Sequence, residues 1–187
     1  MRSGWFILVL FTVLFCKAQQ VLPLNNSASK SPTNSYFKDI NNELDPYIGT
    51  WKGDFQEKVI KLKIAKELKV PFEMWGKHNF KDRLLVRYEV TNNHGVVLES
   101  SLNNDFNIKV KLLIEGSDIE NNSVMLIFAG GNCSVGIGNI VLKKISSTQF
   151  SWGYSPGTTT RNDKDCPPNR DYTIYLPETE NLIFTKQ

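Results

Sequence analysis

His78 and His94 are the only 2 histidines in this 187-residue chain, so acid–base chemistry at neutral pH has few places to start. His94 falls in the turn sequence Asn92-Asn93-His94-Gly95, where a solvated imidazole is the expected state. His78 has Glu73 and Asp82 close by in sequence, and a general base can be assembled from the three, but no nucleophile is placed beside them. A zinc site needs three or four N, O or S ligands, and no His/Cys cluster recurs at ligand spacing. Asn103, Asn104 and Asp105, or Asp163 and Asp165, offer oxygens suited to calcium but lack the spaced acidic ladder of a calcium loop. The stretch Gly130-Gly131-Asn132-Cys133-Ser134-Val135-Gly136-Ile137-Gly138 imitates a phosphate loop. It has no terminal Lys-Ser/Thr and no helix start behind it, so a hairpin or a close approach of two backbones is expected there. Paired carboxylates for glycoside cleavage depend on distances across a cleft, and acids scattered along the whole chain select no pair. The chain is therefore read as a non-enzyme, with no catalytic residue, no metal and no cofactor assigned.

The remaining reactive side chains are 3 cysteines, and the N-terminus decides what they meet. Arg2 precedes an apolar run over residues 5–15 (WFILVLFTVLF), followed by Cys16, Lys17, Ala18 and Gln19. A positive start, an apolar run and a small residue at the cut make a secretory signal over residues 1–18, with cleavage expected between Ala18 and Gln19. The run is too short to span a bilayer, so a secreted or periplasmic protein with no transmembrane segment is expected. Lipidation of Cys16 is the alternative, although bulky Phe15 stands where a small residue is usual. Cys133 and Cys166 then remain as an even pair in an oxidising compartment, which reads as a disulfide. Of the formal charge of +3, Arg2 and Lys17 in the signal supply two units. The nearly neutral remainder gives no electrostatic case for nucleic acid or an anionic membrane.

The elements that would position these groups are almost all strands. Residues 19–34, rich in Asn, Ser and Pro, read as a flexible lead-in. Phe37, Ile40 and Leu44 recur at helical spacing behind Ser35, so a short N-terminal helix or single turn is expected over residues 35–44, stopped at Asp45-Pro46. From Tyr47 the period becomes two. Trp51, Gly53 and Phe55 open a series that continues through Ile60, Leu62 and Ile64, then Leu84, Val86, Tyr88 and Val90, opposite Arg87 and Glu89. It runs on through Ile108, Val110, Leu112 and Ile114, then Val124, Leu126 and Phe128, then Ile140 and Leu142, then Phe150, Trp152 and Tyr154. Tyr172, Ile174 and Leu176, and finally Leu182 and Phe184, close it. Such alternation means antiparallel strands with one dry and one wet face. Asn-rich breaks such as Glu120-Asn121-Asn122-Ser123 supply the hairpin turns. The expected fold is an all-β antiparallel meander of about 8–10 strands, one domain over residues 35–187, closed as a barrel or folded as a β-sandwich. Residues 70–80 (VPFEMWGKHNF) read as a lid-like loop or irregular core segment, and residues 154–172 as a long polar loop anchored through Cys166.

The sequence Asp45-Pro46-Tyr47-Ile48-Gly49-Thr50-Trp51-Lys52-Gly53 resembles the opening of lipocalin-like barrels, where a Gly-x-Trp first strand follows a turn of helix. The resemblance implies that Trp51 plugs one barrel end beside Gly49, and that a cation near the last strand, here Lys186, covers its ring. It departs from the classical pattern in lacking a Thr-Asp-x-x-Tyr motif and a terminal strand arginine. Over most of its length the chain is also similar to a family of small exported bacterial proteins of unknown function. That similarity is carried by Tyr36-Phe37-Lys38-Asp39-Ile40-Asn41-Asn42-Glu43-Leu44, Gly49-Thr50-Trp51, Val70-Pro71-Phe72, residues 82–90, Ser100-Ser101-Leu102-Asn103 and the C-terminal hairpin. It implies export and a β fold, without a mechanism.

Three functions follow as expectations. A hollow barrel would bind a small apolar or amphiphilic ligand on the inward rings of Tyr88, Phe128 and Trp152, with Tyr172 beside them. A cell-envelope interaction module would use an outer surface, above all Phe72, Met74 and Trp75 if they are exposed together, with an envelope protein as partner. An extracytoplasmic hydrolase would need His78 in a cleft with a Ser, Asp or Glu.

Overall fold

The computed structural model describes residues 18–104, 112–159 and 166–187. The two-residue rhythm becomes strands: β1 (Val21–Pro23), β2 (Tyr36–Lys38), β3 (Gly49–Phe55), β4 (Lys58–Met74), β5 (Lys77–Asn92) and β6 (Val97–Ser100). They continue with β7 (Ile114–Glu120), β8 (Ser123–Phe128), β9 (Gly138–Lys144), β10 (Gln149–Pro156) and β11 (Thr179–Lys186). Strands β5, β4, β3, β11, β10, β9, β8 and β7 pair in that order, and β7 returns to β5 through Leu84↔Gly116 and Val86↔Ile114. The result is a closed 8-stranded antiparallel barrel, which removes the sandwich alternative.

Ile60, Leu62 and Ile64 of β4 are buried, and Lys61 and Lys63 between them are exposed, as the alternation requires. Aromatic rings pack against one another in the interior. Near one end Trp51 meets Phe150 edge-on at 4.7 Å, Phe150 stacks on Phe184 at 5.4 Å, and Tyr47 packs on Phe150 at 5.7 Å. Trp51 donates its indole N–H to the Tyr47 carbonyl at 2.8 Å, and Lys186 Nζ lies 5.3 Å from the indole centroid. The close approach of Lys186 depends on Gly49. Its φ of +134° suits glycine, and a Cβ there would stand 3.1 Å from Lys186 Cε. This plugged base lies opposite the mouth, where Phe55, Asn92, Phe128 and Pro156 end their strands.

Several expectations change. Residues 35–44 form no helix. Tyr36 and Phe37 pair in parallel with Phe80 and Lys81 of β5, and the buried Asp39 carboxylate bends the chain behind them by accepting the Glu43 and Leu44 N–H groups. A 3-10 turn at Asp45–Tyr47 follows, begun by Pro46 in its first turn. The lead-in at residues 19–34 carries β1, which pairs in parallel with β2. Tyr172, Ile174 and Leu176 form no strand, because β9 and β11 already occupy both edges of β10. The short strand β6 went unread. Arg87, expected on a wet face, is fully buried. It stands where the edge of β5 passes from β7, ending at Val86, to Ser101, which bonds Tyr88. The signal segment before Ala18, and Ile108 and Val110 of an expected strand, lie outside the described residues.

Cys133 and Cys166 are joined, with Cα atoms 5.9 Å apart and a sequence separation of 33. The bond ties the β8–β9 loop, with its 3-10 turn at Asn132–Ser134, to the long β10–β11 connection at the mouth. Closing a loop of that length limits the unfolded chain. Replacing both cysteines with serine is expected to cost about 3–4 kcal/mol in urea denaturation, with reductant lowering the unmodified chain to the same level.

Candidate functional site

The groups singled out for chemistry do not converge. His78 Nδ1 lies 3.5 Å from Glu73 Oε2, but the two side chains are 82% and 60% exposed, so they form a surface pair rather than a cleft. Asp82 is buried and engaged elsewhere. Its carboxylate accepts the Tyr36 hydroxyl at 2.6 Å and the backbone N–H groups of Lys69 and Asp39 at 2.9 and 3.0 Å. Burial, followed by that bond to Asp82, pushes the Tyr36 hydroxyl pKa up to about 12. The glycine-rich stretch is the loop between β8 and β9, and no helix follows it. Among the described residues, no three His, Cys, Asp or Glu side chains gather as metal ligands do.

The inward rings pack on one another. Tyr88 meets Phe128 at 6.0 Å, Phe128 meets Tyr154 at 5.9 Å and Trp152 meets Phe184 at 5.6 Å. Tyr172 is not among them: it sits in the mouth loop, its hydroxyl donating to the Pro167 carbonyl and lying 4.0 Å from Cys133 Sγ. Toward the mouth, the Tyr88 hydroxyl donates to Glu99 Oε2 and the Tyr154 hydroxyl to the Gly136 carbonyl. Desolvation raises the Glu99 pKa, and the Asp171 charge adds to it, against the bond from Tyr88 and the nearby Lys58 amine. Desolvation likewise raises the pKa values of both tyrosines, with the Glu99 charge adding to it, so they stay neutral donors. Glu99 gave no sign in the sequence, because its strand is four residues long and, among the described residues, pairs with β5 alone.

The segment expected as a lid is instead the end of a long hairpin. β3 leaves β4 at Ile64, and β7 leaves β5 at Leu84, yet β4 and β5 stay paired down to Met74↔Lys77. The two strands therefore project past the Trp51 end of the barrel as an arm, with β2 and β1 laid along one side. Arg83 anchors its base, bonding Glu67 of β4 at 2.7 Å and Glu115 of β7 at 2.6 Å. Lys66 Nζ lies 2.8 Å from Asp39 and 2.6 Å from Asp45. Burial alone would lower its pKa, but the two carboxylates outweigh it and hold the amine above its ordinary value.

At the tip, Trp75 and Gly76 make the two-residue turn with φ of 56° and 66°. Two left-handed residues in sequence are the pattern of the I′ hairpin turn, which asks for Asn or Gly. The β7–β8 turn meets that demand with Asn121 and Asn122, at 49° and 60°. Trp75 does not meet it, since a side chain with a Cβ in this region costs about 1–2 kcal/mol. The ring recovers nothing by burial, being 77% exposed, and Met74 beside it is 46% exposed. Leu68, in the bulge that breaks the β4–β5 ladder, is 66% exposed. Phe72 differs from these neighbours. It is half-buried, edge-on to Phe37 at 5.8 Å, with Lys81 Nζ 5.3 Å from its ring centre. Trp75 is thus a bulky residue held in a strained conformation with its ring in water.

A family model described as "Family of unknown function (DUF6705)" matches residues 1–187. No curated protein and no solved structure matches the chain.

Replacing Trp75 with asparagine is expected to stabilise the fold by about 1 kcal/mol, a rise in melting temperature of about 2–4 °C. Glu99→Gln keeps an acceptor for Tyr88 and removes a desolvated charge. The folded-state pKa of Glu99 is raised, so the native state binds its proton more tightly and loses stability as pH rises through that pKa. The gain from Glu99→Gln should be full at alkaline pH and fade on acidification, as read by thermal melts across pH.

Proposed function

Because the chain belongs to a family whose description assigns no activity, we propose from its geometry that it is a non-catalytic docking protein of the cell envelope, using the tip of the β4–β5 arm as its contact. The observation that carries this reading is Trp75, turned out into water at a turn position that disfavours it.

The surroundings support contact at the tip rather than along the arm's edge. Below Ile64 no strand among the described residues covers the outer edge of β4, which would invite one. The bulge at Leu68 and Lys69 interrupts that edge, and Pro71 continues the protection. Phe80, opposite Pro71, gives its N–H to Ser35 on the far side. In an antiparallel ladder the partner residue then also points away, so the nitrogen lacking a proton is the one facing the open edge. An interior ligand is the weaker reading, since Tyr88 and Phe128 pack on each other and Trp152 packs on Phe184. Hydrolysis is weaker still, given His78 on the surface.

The test is fractionation of cells expressing the full chain. The unaltered protein is expected in the envelope fraction, and Trp75→Asn in the soluble fraction despite equal or greater thermal stability. Equal partition of the two proteins would overturn the reading.

A further inference from the structure

The partner of the arm follows from what else lies at its end. Strands β1, β2 and β5 run parallel, all leading away from the hairpin tip. Residues 18–20, just ahead of β1, therefore lie on the tip side. The bonds agree: Asn34 N–H donates to the His78 carbonyl at 2.7 Å, Gln19 Nε2 to the Asn34 carbonyl at 3.0 Å, and Lys77 Nζ to the Ser29 and Ser31 carbonyls at 2.7 Å each. The described chain thus begins at Ala18 and Gln19 next to Asn34, whose N–H bonds His78, three residues from Trp75. Upstream of Ala18 in sequence stand the eleven residues WFILVLFTVLF, an export-signal core that a membrane receives though it is too short to span one.

We infer that the surface docked by Met74 and Trp75 is a lipid bilayer, the same one that the N-terminal apolar run addresses. This rests on the docking reading above and names its partner. Tryptophan suits that boundary, because its ring is apolar while its N–H still seeks a polar partner, and both needs are met at the headgroup level. Charge is not the attraction. Glu73 and Lys77 balance across the tip, and Lys69 and Lys81 lie over the rings of Tyr36, Phe80 and Phe72. Contact should therefore form on zwitterionic lipid and resist salt. A retained N-terminal run or acyl chains on Cys16 would join the fold through Ala18, on the tip side, and after cleavage at Ala18 the contact rests on Met74 and Trp75 alone.

The tryptophans themselves provide the measurement. Trp51 and Trp152 are each 1% exposed and Trp75 is 77% exposed, so in a full-length Trp5→Phe chain the iodide-accessible emission belongs to Trp75. Adding vesicles of brominated phosphatidylcholine should blue-shift that component and quench most of it, equally in low and high salt. The Trp5→Phe/Trp75→Phe chain should show neither effect. A chain that floats with the vesicles while its Trp75 emission stays iodide-accessible and insensitive to bromine would overturn the inference, as would a chain that does not bind them. Either result together with Trp75-dependent envelope fractionation would leave docking standing, with a protein as partner. Loss of both would remove the docking reading as well.

Discussion

The architecture depends on how one strand satisfies its two edges. β5 is 16 residues long, and every backbone donor and acceptor along it must find a partner or face water. β4 serves one edge throughout. The other edge is divided: β2 takes Phe80 and Lys81, β7 takes residues 84–86, and β6 takes residues 89–91. Only the middle share closes the barrel. The two ends are what remains, and each holds one of the unusual features of the molecule.

At the lower end, β2 replaces β7 and lets the hairpin continue past the barrel without a bare edge on that side. Asp82 makes the exchange work. Its carboxylate joins β2 through Tyr36, the bulge through Lys69, and the turn after β2 through Asp39. The arm is thereby a stiff extension of the barrel wall, and a ring held at its tip has a defined position. At the upper end, β6 brings Glu99 over the interior, where Tyr88 meets it. The same strand division that extends the arm also places a carboxylate among the core tyrosines.

Between these ends the barrel is organised by rings. Trp51, Phe150, Phe184 and Trp152 form one group at the base, and Tyr88, Phe128 and Tyr154 another toward the mouth. Each ring is placed by its strand's alternation, and small residues make room for it. At Gly53 a Cβ would stand 3.1 Å from the Phe184 ring, so glycine lets that ring lie against β3. An interior assembled this way gives a stable support. The residues available to a partner are then those the core could not use, and Trp75 is the largest of them.

The β class, most of the inward residues and the pairing of two cysteines can be read from residue types and spacing alone. A period of two can be satisfied only by pleated strands, and Ile60, Leu62, Ile64, Val86, Tyr88, Phe128 and Trp152 all face the core as alternation demanded. The Gly49–Trp51–Lys186 cluster was implied by the resemblance to lipocalin-like openings, and it forms where barrel closure makes the first barrel strand and the last neighbours. Tertiary structure decided the rest. Phe37, Ile40 and Leu44 carried helical spacing, but pairing with β5 and the bonds to Asp39 outweighed a weak local preference. Residues 70–80 resembled a loop because Pro71 and Gly76 are local breakers, and only a free strand edge and a left-handed turn made both acceptable in a hairpin. Arg87 was covered, and Glu99 drawn to Tyr88, by partners that sequence spacing does not reveal, since which strand borders which is a property of the closed sheet.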